Sequence, residues 1–439
     1  MRILLVAYDF PPNPSPQSLR WAYLVRELVA RGHDIQVITV DLPGYGPGGL
    51  PELPASVRIK RVYPGLFTAL LLRRHKVAGR KSGWSSDVNK APVTVGAHVD
   101  SLNWKGRLAE RLKEIISLLL FPDYRAEWFF WARRALVTTL RGFRPDVVVT
   151  SHEPACSLPL GLLAKRRGYR WIADLGDPVL ASYTPRRWKS RAARLERLVC
   201  AEADLVSVTS QLTANLLADR HGLKPGESFV LAQGFDAHYL DSGKRASEIQ
   251  LESDALELLY TGSFYSFRRA DALLDALTKV EGIRLSIATS VVPDYLKDHA
   301  ARHPSSVRLL GFLDHRTVLS MQRRSDVLVN IANADPVQIP GKVNEYLGAA
   351  RPILHIHAGV NDATGLLLET LGAGFDCQAT SEDLVPMLER LRDLKRKGDL
   401  TLPCRDDQAI NAYSWQSLAA LWEKHASRLT VSHRAAGHH

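Results

Sequence analysis

The chain is poor in the groups that build disulfide frameworks and metal centres. Its 439 residues include four cysteines, Cys156, Cys200, Cys377 and Cys404, scattered without metal or redox spacing. This excludes a disulfide-stapled scaffold and points to a reducing compartment. No apolar run reaches the roughly 18 residues that a membrane span needs. The first such run, residues 3–7, stops at Asp9 and a string of prolines. It is too short for the apolar region of a signal peptide and reads as a buried strand. There is no helix-turn-helix, RNA-binding or zinc-finger pattern, so no nucleic-acid partner is expected. No ligand cluster of His, Cys, Asp or Glu appears, so no metal is expected.

What is present is a soluble-type composition, 46% hydrophobic and 23% charged, on a chain too long for one core. The formal net charge is +11. Residues 60–144 hold 17 basic and six acidic side chains, so this window carries the whole excess. It also holds the runs 66–72 and 115–121 and the aromatic cluster Trp128, Phe129, Phe130 and Trp131. Apolar clusters flanked by cations and tryptophan suit an anionic membrane surface. A solvated basic face over core helices is the plainer alternative.

The order of elements is regular. Residues 3–7 read as a strand. Trp21, Leu24, Val25, Leu28 and Val29 fall at helical spacing, Gly32 closes that helix, and residues 35–40 form the next strand. This is a βαβ unit, which builds parallel sheet with right-handed crossovers. Residues 41–144 look irregular, a loop or insertion followed by helices near 104–120 and 124–141. Alternation resumes with strands at 146–150, 170–173, 205–209 and 228–232. A polar stretch at 241–255 suits a linker. A second series has strands at 257–261, 283–288, 307–310, 327–331 and 353–356, and a last helix spans 415–428. Two successive alternating series argue for two doubly wound α/β domains.

The most informative segment is Ile339-Pro340-Gly341-Lys342-Val343-Asn344-Glu345-Tyr346-Leu347. Pro340 and Gly341 make a turn, and Val343, Leu347 and Ala350 repeat at helical spacing. A Gly-Lys thus opens a helix with a carboxylate one turn in. A helix N-terminus offers free N–H groups and a positive dipole end to phosphate. A carboxylate one turn later can accept from ribose hydroxyls.

This segment resembles the donor-site signature of retaining glycosyltransferases of family 4, in particular the branch that builds polysaccharides and lipid-linked glycans. The fuller pattern has a first Glu eight positions before the second, where this chain has Val337. Gln233-Gly234-Phe235-Asp236 resembles the hinge at which these enzymes pass between domains. The resemblance implies the GT-B fold, two Rossmann-like domains facing across a cleft, with a C-terminal helix crossing back. The expected division is residues 1–236 for the acceptor domain, with the basic insertion at 60–144, residues 237–410 for the nucleotide-sugar domain, and 411–430 for the returning helix.

Three loops at strand ends carry the remaining expectations. The loop Gly262-Ser263-Phe264-Tyr265-Ser266-Phe267-Arg268-Arg269 has Ser263 where the family has Arg, and Arg268 at the family's Lys position. The implied donor site is therefore Gly262, Ser263, Arg268, Arg269, Pro340, Gly341, Lys342 and Glu345. The segment Asp174-Leu175-Gly176-Asp177-Pro178 resembles the Asp-x-Arg-Asp-Pro-Trp motif of that branch. It makes Asp174 and Asp177, with Arg268, the implied catalytic residues, a helix-capping turn being the alternative. Ser18, Arg20 and His152 are the implied acceptor contacts. The implied reaction is transfer from a UDP- or GDP-linked sugar to a lipid-linked or polysaccharide acceptor with retention, without metal or cofactor. The implied setting is cytoplasmic, peripheral to the inner face of the plasma membrane. A GT-B scaffold protein without transfer activity and a sugar-nucleotide 2-epimerase remain open.

Overall fold

The computed structural model describes residues 1–13, 15–42, 50–70, 120–237, 249–252, 254–265, 268–333, 335–336, 338–359, 362–402 and 404–436. They form two compact units, Met1–Ala232 with Leu418–His439, and Gln233–Ser417.

The first unit runs β1 (Arg2–Val6), α1 (Pro16–Ala30), β2 (Asp34–Val40), β3 (Arg58–Val62), α2 (Trp128–Phe143), β4 (Val147–His152), α3 (Leu158–Lys165), β5 (Trp171–Leu175), α4 (Lys189–Glu202), β6 (Leu205–Val208), α5 (Gln211–His221) and β7 (Ser228–Val230). Its sheet has the order β3-β2-β1-β4-β5-β6-β7 and is parallel throughout. Ile3–Val6 and Val147–Val149 are at most 1% exposed, as expected for strands covered by helices on both faces. α1 starts as its sequence dictates. Ser15 accepts from the Ser18 N–H and Pro16 opens the helix. Gly32 follows its end with φ +86°.

The second unit runs β8 (Leu256–Thr261), α6 (Asp271–Leu277), β9 (Ile283–Ala288), α7 (Asp294–Arg302), β10 (Val307–Gly311), α8 (His315–Arg324), β11 (Val327–Ile331), α9 (Gly341–Ala349), β12 (Ile353–His357), α10 (Ala363–Leu371), β13 (Gly374–Gln378), α11 (Ser381–Arg396) and α12 (Asp407–Asn411). Its parallel sheet has the order β10-β9-β8-β11-β12-β13. The last helix, α13 (Trp415–Ala436), begins here, and from Leu418 the chain belongs to the first unit. There Leu418, Trp422 and Ala426 are buried, the His425 ring stacks on Phe229 at 4.3 Å, and Glu423 pairs with Arg31 and His33.

The alternation expected from sequence is present, with additions. Arg58–Val62, inside the stretch read as a loop or insertion, is the edge strand of the first sheet. Its sequence, Arg-Ile-Lys-Arg-Val, masks the apolar pattern because an edge strand buries little. β13 and the helices α10 and α11 were also not anticipated. The expected helix at 104–120 lies outside the described residues, as does most of the 241–255 linker. Among the described residues no helix is long and apolar enough to cross a membrane.

Each sheet reverses its strand order once. In the first unit β1 pairs with both β2 and β4, and in the second β8 pairs with both β9 and β11. At such switch points the loops leaving neighbouring strands diverge and open a crevice at the carboxyl ends.

Candidate donor and acceptor sites

In the second unit the crevice lies between the loops after β8 and β11. Gly262 leaves β8 with φ +112°, a conformation suited to glycine, and a Cβ there would lie 3.8 Å from the Lys342 side chain. Arg268 is buried and its guanidinium reaches across the switch point to Asn333 Oδ1. Its Nε has no hydrogen-bond partner. The turn that aims it is closed by two backbone bonds between Tyr265 and Arg268.

Lys342 comes from the first turn of α9. Its Nζ is shut off from solvent, has no hydrogen-bond partner, and stands 3.6 Å from the centroid of the Tyr260 ring. Burial holds its pKa well below the ordinary lysine value, and the neighbouring Arg268 adds to that. Tyr260 is itself placed by the bond from its hydroxyl to Ser263 O, and Tyr346 by bonds to Thr261 N and Oγ1 at 3.0 and 2.9 Å. Two basic side chains therefore meet near one helix N-terminus. That is an anion site by its electrostatics. Gly341 allows Gln233 to close on the helix start, at 3.4 Å from where a Cβ would be.

Glu345, one turn on, accepts from His315 Nε2 at 2.8 Å and lies 3.4 Å from Gln322 Nε2. Burial favours a neutral His315 ring, but the Glu345 carboxylate outweighs it and the pKa is raised. His315 and Asn333 are thus part of the site, and sequence reasoning missed both. Their only signal was position, at the end of a strand or the start of a helix.

Arg269, in contrast, points outward. Its guanidinium is about half exposed, binds Asp271 at 2.6 Å and lies 4.2 Å over the Tyr295 ring. Of the two expected arginines only Arg268 enters the crevice. Val337 lies outside the described residues.

The first unit places its expected residues differently. Arg20 and Asp174 are both 0% exposed and bind each other in a two-pronged pair, at 3.1 and 3.0 Å. Trp21 Nε1 and Ser207 Oγ complete four bonds to the Asp174 carboxylate. Arg20 spends its remaining donors on the carbonyls of Leu231 and Ala232. Both expected residues therefore sit in a buried pair. Four of the five Arg20 N–H donors are spent inside the fold, and the Asp174 carboxylate accepts four bonds. Their pattern signals a cross-brace between α1, β5 and the end of β7. Ser18 is also buried; its Oγ has no partner.

Other groups line the carboxyl ends of β1, β4 and β5. The Tyr183 hydroxyl bridges Glu153 Oε1 and Asp177 Oδ2, each at 3.0 Å. Partial burial and these two carboxylates push its pKa up. Asp9 accepts from Asn13 at 2.5 Å and is raised by burial, with Arg125 opposing. Arg125 is held by Asp123. His152 is buried and its Nδ1 has no partner. At Gly176, where the resembled motif has Arg, the Gln17 amide lies 2.0 Å from where a Cβ would be. A larger residue would have to expel Gln17. Arg125 and Tyr183 were not singled out by sequence. Another cavity of this unit, about 690 Å³, opens at the opposite, amino ends of the strands. Its Arg2 and Arg170 are already paired with Asp146 and Asp204, so it is not the site.

Residues 17–234 match the family model of the glycosyl transferase 4-like domain. By sequence, no curated protein matches the chain. Among solved structures it is similar to sucrose-phosphate synthase from Thermosynechococcus elongatus, with TM-score 0.67 and 14% identity over 98% of this chain and 99% of that one. It is similar to TarM, with TM-score 0.62 and 9% identity over 97% and 98%. It is also similar to UDP-GlcNAc 2-epimerase from Neisseria meningitidis bound to UDP-GlcNAc, with TM-score 0.53 and 10% identity over 97% and 99%. Residues 17–234 thus resemble a glycosyl transferase 4-like domain, and the two parallel sheets with interleaved helices are the two-domain, Rossmann-like GT-B fold.

Proposed function

We propose that the protein is a retaining glycosyltransferase that moves a sugar from a UDP- or GDP-linked donor to a lipid-linked or polysaccharide acceptor, working peripherally at an anionic membrane face. The observation that carries this reading is the pair Lys342 and Arg268. Both converge on the start of α9, and the Lys342 Nζ and Arg268 Nε have no partner. A diphosphate supplies what these groups lack. Glu345, oriented by His315, would accept from ribose hydroxyls. In the reaction the bond from the anomeric carbon to the diphosphate oxygen breaks, and its electron pair leaves with the phosphate. The acceptor oxygen bonds to the same face and passes its proton to the departing phosphate oxygen. The two cations and the helix N-terminus stabilise the charge that develops there. Neither a protein nucleophile nor the paired carboxylates of glycosidases are called for. Asp9, Glu153, Asp177 and Tyr183 are the groups proposed to position the acceptor hydroxyl.

The epimerase neighbours support a second reading, in which the same donor site serves inversion at C2. One experiment separates the two. Purified protein is incubated with a panel of UDP- and GDP-sugars and the products are followed by NMR. Transfer, or slow donor hydrolysis with retention of the anomeric configuration, supports the transferase. Exchange at C2 supports the epimerase. No binding of any nucleotide sugar by calorimetry overturns both.

A further inference from the structure

The first unit has a second concave surface, beside β3 and α2. A groove of about 520 Å³ runs between β3 and α2, lined by Lys60, Arg61 and Arg134 and by the rings of Tyr63, Phe130 and Trp131. Among the described residues no carboxylate lines it. Tyr63 and Trp131 meet edge to face at 5.3 Å and form its floor. Phe130 is 65% exposed, and Leu66, on the neighbouring helical turn at 66–70, is 71% exposed. That turn is not loose. The Glu127 carboxylate accepts from the Phe67 and Thr68 N–H groups and the Thr68 hydroxyl, at 3.1, 2.7 and 2.7 Å. It can approach only because Gly65 has no Cβ, which would lie 2.1 Å from Glu127 Cδ. The structure therefore holds the exposed Leu66 near the start of α2 by a half-buried carboxylate clamp, in the same unit as the exposed Phe130 and three cations.

We infer that this groove docks the protein on an anionic lipid surface, with Phe130 and Leu66 entering the interface and Lys60, Arg61 and Arg134 meeting acidic headgroups. The inference deepens the membrane association in the proposed function and rests on that reading. A merely solvated basic face has its apolar residues scattered singly. Here the aromatic side chains Tyr63, Phe130 and Trp131 line one groove with three cations, the pattern of an interfacial binder. Among the described residues none of the three cations pairs with a carboxylate; Arg61 donates once, from Nη2 to Pro11 O at 2.7 Å, and keeps its other N–H groups for phosphate. A second copy is a poor occupant. A two-fold contact would set the groove's cations against their own copies.

The test is flotation of the full chain with phosphatidylcholine vesicles, with and without phosphatidylglycerol. Binding is expected only with the anionic lipid. Each basic residue near such a surface is worth about 1 kcal/mol, so Lys60→Ala with Arg134→Ala should lower the partition coefficient about thirtyfold. Phe130→Ser with Leu66→Ser should keep low-salt binding but lose the part that resists high salt. Circular dichroism checks the fold of each variant. Calorimetry with the nucleotide sugar checks the donor site, which both double variants leave intact. Failure to bind any donor with normal vesicle binding would sink the transferase reading and leave the groove standing. Normal donor binding with equal recovery on neutral and anionic vesicles, or with unchanged recovery in the charge variant, would overturn the groove. So would a salt-sensitive dimer in ultracentrifugation that the charge variant abolishes without any lipid binding.

Discussion

His315 Nε2 stands 2.8 Å from Glu345 Oε1, so the carboxylate proposed to read ribose is fixed by a second helix. The Glu345 charge, with Asp314 and Asp236, outweighs burial and raises the His315 pKa. A raised folded-state pKa contributes stability fully below the unfolded value of about 6.5, and that contribution is lost as pH rises through the folded value. His315→Gln should therefore lower the melting temperature more at pH 5.5 than at pH 8.5. It should also weaken donor affinity by about fivefold, the scale of one lost hydrogen bond of about 1 kcal/mol. A melting-temperature gap that does not change with pH would show that the pair does not titrate.

Lys342 gives a second pH signature. Its pKa is depressed in the free protein by burial and by Arg268, whereas a bound diphosphate would raise it. Binding should then take up a proton between the two values, and affinity should fall as pH rises through that window. Calorimetry in buffers of differing ionisation enthalpy measures the uptake. Lys342→Met should abolish it and weaken binding roughly tenfold to a hundredfold. Uptake unchanged in the variant would place the titrating group elsewhere.

Much of this was legible in the sequence, and the reasons are local. Strands covered on both faces read as apolar runs, so β1, β4, β8 and β11 were plain, and with them the doubly wound class. The start of α9 carried Pro340, Gly341 and Lys342 in a row, so the turn and helix start of the proposed donor site could be read directly. β3 and β13 were not legible, because edge strands bury one face poorly and their sequences are polar. The partners of a side chain were the least legible. Nothing in Arg20 or Asp174 taken singly shows that 154 residues of chain bring them into one ion pair. Likewise His315 and Asn333 reach the donor crevice only through the strand order.

Arg268 and Arg269 are adjacent in sequence and opposite in environment. Arg268 is buried and bonded to Asn333, whereas Arg269 is exposed and paired with Asp271. Arg268→Ala should reduce turnover by about a hundredfold or more, as loss of one charge-stabilising group at a leaving phosphate does. Arg269→Ala should leave turnover within about twofold, because exposed pairs contribute little. Equal effects from the two substitutions, read in donor hydrolysis, would mean that the diphosphate is held by another loop.

Asp174 offers a choice between brace and catalyst that mutation can decide. Its carboxylate makes four bonds, two of them to Arg20, and neither side chain is exposed. Asp174→Asn would keep the shape but leave the Arg20 charge buried and unbalanced. Breaking a buried pair in this way costs about 3–5 kcal/mol. Replacing both partners, as in Arg20→Met with Asp174→Leu, removes the stranded charge, and much of the lost stability should return. Urea denaturation followed by tryptophan fluorescence reads both, since Trp21 donates to this carboxylate and Trp171 lies on the same strand. The brace predicts a midpoint that falls in Asp174→Asn and recovers in the double variant, with turnover following the folded fraction in each. A single variant as stable as the parent but inactive would instead make Asp174 a group that acts in the reaction.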